Sequence, residues 1–573
     1  MADPDHSSNP PFKLVSQRRA WIFLGFAVVA TTVVAYLPSL RAGFYFDDLN
    51  NIVDLPVLHW NEFSFEGLIQ IASSALLPER LVANLTFALN HVVGGLDPAG
   101  YHLVNLLIHL LVGAALAWVC FEYVMANCEM RCSKPAAAAY SIAASTVFLL
   151  HPLNTQAVTY VVQRMASMAT LFALVSFGCF LCAHRTVSIR SKAVLAGLST
   201  LSWVLGILSK ETALALPVVF VVYELSFHGK TWWKRLKTAI SDPKGRLVVF
   251  GLFAAGVLGT LYLADLYADL STISILKQYP NRVFNGLERV LTQFRVQIFY
   301  ISLLFWPTPW RLSLEHDFAV STSILQPPAT LAAILFWIVC VALIALLVVR
   351  RPRFGFPLLA YMIFHTIESA PLNLELVFEH RMYLPMTMLA LLLATVLVDS
   401  KPKWRRRVLA VVPVIAIVLA VGTYSRNLVW ADPIRFHTDC VSKAPNKFRP
   451  LYNLGSHLGR AGRLDEAQDV LARALEIKPT DALTHNQLGN IFLLKGDLDT
   501  ASEHYETALE SKPDLPEPLF NLGLINERLG NPGAAVDYYR RFVESAAQIP
   551  FLEPGVHTAR DRIRAIEARM RTE

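Results

Sequence analysis

Charged residues are scarce in this chain. Asp, Glu, Lys and Arg make up 17% of its 573 residues against 54% hydrophobic ones, and the mean hydropathy is +0.42. That balance excludes an ordinary soluble protein and, at this length, a single domain. Cysteine is also thin, with seven residues (Cys120, Cys128, Cys132, Cys179, Cys182, Cys340, Cys440) mostly in or beside apolar stretches. Cys128 and Cys132 lack the second Cys/His pair of a zinc site, so neither a disulfide framework nor a metal is expected from them. The net charge of +7 does not make a nucleic-acid-binding face, because most Lys and Arg fall in short clusters between apolar segments. Such clusters are orientation signals.

Long apolar runs are what the chain has in abundance. They fall near residues 20–39, 102–121, 136–152, 157–182, 193–208, 212–228, 247–264, 328–349, 354–371, 383–399 and 408–424, which predicts about eleven membrane spans. Residues 1–17 are polar, carry Pro4, Pro10 and Pro11, and read as a disordered cytoplasmic lead. Arg18 and Arg19 then precede a run too long for a signal-peptide core and without a small-residue cleavage site, as in a retained signal anchor. With the N-terminus inside, the basic clusters at Arg131 and Lys134, Arg185 to Lys192, Lys230 to Arg246, Arg350 to Arg353 and Lys401 to Arg407 all fall on the cytoplasmic side. Val296 to Trp306 is only about a dozen residues long and would break this pattern if it crossed, so it is expected as an interfacial or re-entrant helix on the outer face.

After the last run the composition changes. Leu454-Gly455, Leu488-Gly489 and Leu522-Gly523 recur every 34 residues, as do Ala467, Ala501 and Ala535, while Pro479 and Pro513 close the first two units. This is the tetratricopeptide period, in which small residues let paired helices approach. Three repeats and an Arg-rich final helix from about Gly555 to Arg571 make a minimal array with a solubilising cap. The expected domains are the lead at 1–17, a membrane domain at 18–425 with a first outer loop at 41–100, a linker at 426–447 and a repeat domain at 448–573.

The topology gathers the costly polar residues on one extracytoplasmic face. Foremost is Phe44-Tyr45-Phe46-Asp47-Asp48, a pair of carboxylates a few residues beyond the first span. One Asp could cap a short helix; two in tandem behind an aromatic triplet suit a general base tuned by a neighbouring charge. Arg164, Lys210 and Arg381 lie on the same face. Each could snorkel to headgroups alone, but together with the carboxylates they suit an anion site. Arg80, Glu211, Glu379 and His380 stand nearby in sequence or on the same side. His102 and His109 share one helix face with Asn105, His151 precedes Pro152, and His316 sits between Glu315 and Asp317. Membrane histidines commonly serve as helix–helix contacts, and no ligand spacing here is specific for a metal.

These stretches, taken with Tyr101 to His109, Gln163-Arg164, Ser209-Lys210-Glu211, Glu379 to Pro385 and the trailing repeats, resemble the transmembrane and tetratricopeptide-repeat-containing glycosyltransferases. That family belongs to the GT-C superfamily and is akin to the protein O-mannosyltransferases. The resemblance implies an all-α fold: a polytopic GT-C membrane core followed by a tetratricopeptide-repeat α-solenoid. It implies transfer of a sugar, typically mannose, from a polyprenyl-phosphate donor to Ser or Thr hydroxyls of proteins. Asp47 or Asp48 would be the base, with Asp48 preferred, and Arg164, Lys210 and Arg381 would face the donor phosphate. Arg80, His102, His109, His151, Glu211, His316, Glu379 and His380 would support the site or the acceptor. The expected partners are the lipid-phosphate sugar and a protein acceptor held by the repeats, with no cofactor, divalent metal or nucleic acid. The setting would be the bacterial inner membrane or the endoplasmic reticulum, with the repeats extracytoplasmic. Three repeats is a short array beside animal members, which leaves the sugar and the polyprenyl lipid open. A lipid or glycan acceptor, and a non-catalytic scaffold with a repeat tail, are the alternatives.

Overall fold

The computed structural model describes residues 11–73, 80–128, 132–241, 279, 282–370, 373–547, 549 and 552–571; among them the chain is helical, with no β-strand. Two compact units separate: one comprises Met1–Leu314 with Phe318–Asp432, the other Glu315–Asp317 with Pro433–Glu573.

The first unit opens with α1 (Pro11–Tyr36), so residues 11–17 of the expected lead are already helical. Two short helices of the outer loop follow, α2 (Phe65–Ser73) and α3 (Leu81–Gly94), before α4 (Pro98–Cys128) and α5 (Lys134–Leu149). Next come α6 (Thr155–Thr159), α7 (Arg164–Arg185), α8 (Ile189–Ile207) and α9 (Leu216–Ser241). The unit closes with α10 (Gly286–Phe305), α11 (Ala329–Arg350), α12 (Pro352–His365), α13 (Tyr383–Asp399) and α14 (Pro402–Trp430). Its core is apolar and continuous, running through Val112, Leu116, Phe148, Leu174, Tyr300, Phe356 and Leu391.

Helices occupy ten of the eleven expected spans; the eleventh, at 247–264, lies outside the described residues. The count of about eleven is nevertheless not reproduced. Seven of the described helices are long and apolar enough to cross a membrane, or eight if α5 and the following bent segment form one span. The shortfall has local causes. The chain breaks by 56° between Leu149 and Pro152. Helix α12 has only 14 residues and contains Pro357, and α8 begins with Arg190 and Lys192 among several hydroxyl residues. The expected outer helix at Val296–Trp306 belongs to the longer α10, opened by a capping box between Asn285 and Glu288. Glu288, Arg289 and Arg295 concealed its first turns, because charges interrupt an apolar run without breaking a helix.

The second unit begins with α15 (Pro433–Lys443), so residues 426–447 are largely the end of α14 and this helix. The repeats follow as pairs: α16 (Phe448–Arg460) with α17 (Leu464–Ile477), α18 (Ala482–Lys495) with α19 (Leu498–Ser511), and α20 (Pro516–Arg528) with α21 (Pro532–Ala546). The cap is α22 (Glu553–Met570). Gly462, Gly496 and Gly530, again 34 apart, turn each pair at φ +74, +83 and +76, a conformation that costs glycine little. Within this unit Glu315 pairs with Lys447 and Arg449, and Asp317 accepts from Asn446.

Candidate functional site

Asp47 and Asp48 follow Phe46, which has φ +45, the one non-glycine residue with positive φ among those described. A bulky residue holds such a conformation only where its surroundings impose it, at a cost of about 1–3 kcal/mol. Here the surroundings are bonds on both sides. Tyr45 Oη donates to the Trp430 carbonyl at 2.7 Å, and the Asp47 N–H donates to Tyr160 Oη at 2.8 Å.

The turn gives the two aspartates opposite environments. Asp48 is fully buried, and its two carboxylate oxygens accept the N–H groups of Tyr45 at 3.0 Å and Val162 at 2.7 Å. Burial pushes its carboxyl up to about 8, against those backbone donors and with the Asp47 charge adding to the rise. Asp47 is half-buried, and among the described residues its carboxylate has no hydrogen-bond partner. Asp48 therefore holds the turn, while Asp47 carries the accessible carboxylate. A base must first reach the proton it removes, and pKa matters only after that.

The segment His151–Arg164 connects this turn to the cations. It is buried almost throughout. Tyr160 and Val162 bond the acidic turn at one end. One helical turn earlier, Gln156 Oε1 accepts from the His380 backbone N–H at 2.7 Å and meets its Nδ1 at 3.1 Å. Arg80, Lys210 and Arg381 all lie close enough to His380 to act on it electrostatically. Lys210 Nζ pairs with Glu368 at 2.6 Å, and Arg80 with Glu211 at 3.4 Å. The Arg381 guanidinium spends Nη1 on the carbonyls of Glu375 and Leu376 and lies 5.4 Å from the Phe378 ring. Among the described residues its Nε and Nη2 have no partner, and Gln156 Nε2 is a buried orphan.

Two members of this cluster were not singled out from sequence. Arg289 is fully buried and donates to the carbonyls of Glu368, Ala370, Leu374 and Glu375, which fixes the stretch leading to Arg381. Glu368 takes charge from Lys210, Arg381 and Arg289 alike. A carboxylate inside the run 354–371 was the available signal. Four cations against two carboxylates leave the cluster with an excess of positive charge.

Other residues expected in the site serve the scaffold. Arg164 is fully buried and donates to Asn105 Oδ1, to the Thr86 carbonyl and hydroxyl, and to the Tyr101 carbonyl, with the Phe87 ring 4.6 Å away. It has little left to offer a phosphate. His102 reaches the Ala42 carbonyl, His109 bridges Tyr383 Oη and the Leu149 carbonyl, and His151 joins Leu304 to Leu153. Glu379 accepts the Ser313 N–H. His316 falls in the second unit with Glu315 and Asp317.

Beside the cluster, α10, α11 and α12 enclose an apolar groove of about 620 Å³. Its polar members include Gln297, His365 and Ser369, joined by Gln297 Nε2 at 3.3 Å from His365 and 3.1 Å from Ser369. Ser369 adjoins Glu368, the partner of Lys210. The apolar groove thus runs up to the charged cluster.

An acidic turn and clustered cations among membrane-type helices, followed by a repeat solenoid, define the class as a membrane-helix protein with a tetratricopeptide-repeat unit. The repeats match two family models, described as "Tetratricopeptide repeat" at 448–481 and 516–549 and "TPR repeat" at 489–530. Over a longer stretch the chain is similar to proteins named protein O-mannosyl-transferases. Tmtc3 of Drosophila melanogaster is 24% identical across 83% of this chain and 57% of its own length. The tmtc2 protein of Xenopus laevis is 28% identical across 40% of this chain and 27% of its own, and human TMTC2 is 30% identical across 34% and 23%. The chain thus aligns with little more than half of the fly protein and about a quarter of the others.

Proposed function

We propose that this protein transfers mannose from a polyprenyl-phosphate donor to Ser or Thr hydroxyls of proteins, on the extracytoplasmic side of a membrane. The names of its relatives support the sugar and the acceptor class. The observation that carries the chemistry is the unbonded Asp47 carboxylate, linked through the His151–Arg164 segment to the Lys210–Arg381 cluster.

In this reaction the acceptor oxygen attacks the anomeric carbon, and the bond from that carbon to the phosphate oxygen breaks. The hydroxyl proton passes to Asp47. The polyprenyl phosphate leaves with one more negative charge, which Lys210 and Arg381 stabilise where it develops. The isoprenoid tail lies in the groove between α10, α11 and α12, its phosphate toward Glu368 and Arg381. The repeats bind the acceptor polypeptide.

Asp47→Asn is expected to lower mannosyl transfer in membranes supplied with polyprenyl-phosphate mannose by about 10²-fold or more, the usual worth of a positioned base. Its thermal unfolding should match wild type. Full activity of Asp47→Asn in a folded protein overturns the assignment.

A further inference from the structure

We infer that the last turn of α7 and the middle of α9 form a binding site for a borderline divalent cation, of which zinc is the type. Three side chains converge there: His184 from the last turn of α7, and Glu224 with His228 one turn apart on α9. One donor atom from each lies within 4.8 Å of the other two. Glu224 stands between the rings, with Oε1 2.6 Å from His184 Nε2 and Oε2 3.5 Å from His228 Nδ1. The imidazoles lie nearly parallel, 5.2 Å apart with 5° between their planes.

None of the three belongs to the transferase site. His184 lies twenty residues along α7 from Arg164, about 30 Å at a rise of 1.5 Å per residue. Two imidazole nitrogens and one carboxylate oxygen are the donor set of zinc rather than of magnesium or calcium, which take oxygen. Tetrahedral zinc at these bond lengths separates its ligands by about 3.3 Å, so closure asks for side-chain shifts on the order of an ångström. A fourth position remains for water. Both histidines are exposed and Glu224 is half-buried, within the last eight residues of the apolar segments that end at Arg185 and Thr231, so no other described side chain blocks the entry of an ion.

The electrostatic setting contains opposing charges. Lys192 on α8 acts on His184 and opposes a cation. The Glu224 carboxylate offsets it, and the Arg185 charge is already paired with Glu122 at 2.5 Å. The aromatic wall of Phe180, Phe220 and Tyr223 stands beside the cluster, with Phe180 4.7 Å from the His184 ring and 4.5 Å from Phe220. A bound ion would convert this aromatic contact between α7 and α9 into a coordinate cross-link.

The test uses the full chain, purified without a polyhistidine tag and stripped of metal, then titrated with Zn²⁺ and with Co²⁺. The inference expects one ion per chain and visible absorption from four-coordinate Co²⁺. His184→Ala, His228→Ala and Glu224→Gln should each weaken binding by at least about tenfold, as losing even an outer partner of a metal ligand does. His485→Ala, which removes one of a second close histidine pair in the repeats, should leave it unchanged. Because His184 and His228 are exposed, the metal-free variants should melt like metal-free wild type and lose only the zinc-induced rise. Absent binding in wild type, unchanged binding in the three variants, or loss on His485→Ala alone overturns the inference.

Discussion

Asp48 places an acid out of reach of solvent, and that burial fixes a pH dependence. An ordinary aspartate titrates near about 3.9, whereas burial holds this one up to about 8. Between those values the unfolded chain releases a proton that the folded chain keeps, so the contribution of Asp48 to stability is full in acid and falls as pH rises toward 8. The fall in melting temperature from pH 5 to pH 8 should therefore be shallower in Asp48→Asn. The same variant should be less stable at acid pH by about 1–3 kcal/mol, because an amide nitrogen cannot accept one of the two backbone N–H groups. A second contrast separates the arginines. Arg164→Leu leaves Asn105, Thr86 and Tyr101 without their donor and should cost about 3 kcal/mol or more in thermal or denaturant unfolding. Arg381→Gln should keep the fold and raise the KM for the lipid donor. The acidic pair was legible in sequence because charge is costly beside a membrane. Which aspartate faces outward was not, since that depends on the backbone turn at Phe46 and on bonds to Tyr160 and Val162, residues more than a hundred positions away.

At the scale of elements, the repeats were legible and the spans only partly so. A 34-residue period carries its own packing rule: Gly489 and Gly523 each face a tyrosine of the paired helix, Tyr505 and Tyr539, so closely that an added Cβ would stand 2.6 Å from the ring. Gly489→Ala should destabilise the α18–α19 pair by about 1–3 kcal/mol, the usual cost of overpacking. Hydrogen exchange should report it as faster exchange in those two helices, with α4 and α7 unchanged. Membrane helices lack such a rule. Apolar runs located ten helices, of which seven or eight are long and apolar enough to cross a membrane, and the length of each depends on prolines, capping residues and buried charges. Arg289 shows why: an arginine bonded to four carbonyls sits inside a helix that hydropathy began nearly three turns too late.

At the scale of the whole molecule, the distribution of basic clusters makes an orientation testable. On a background without the seven native cysteines, Ser188→Cys between α7 and α8 and Glu62→Cys in the first outer loop should react with a membrane-impermeant maleimide from opposite sides. Labelling from one side would reject the topology. One feature bears on how such a protein can fail. The stretch from His151 to Arg164 fastens the acidic turn with Tyr160 and Val162 and the cationic centre with Gln156, all on one continuous piece of buried chain. Damage to it cannot stay local to either substrate. A genetic screen for variants that spare sugar-lipid recognition but lose the acceptor, or the reverse, should return many positions in the outer loop and the repeats and none in this stretch, where every loss is a double one.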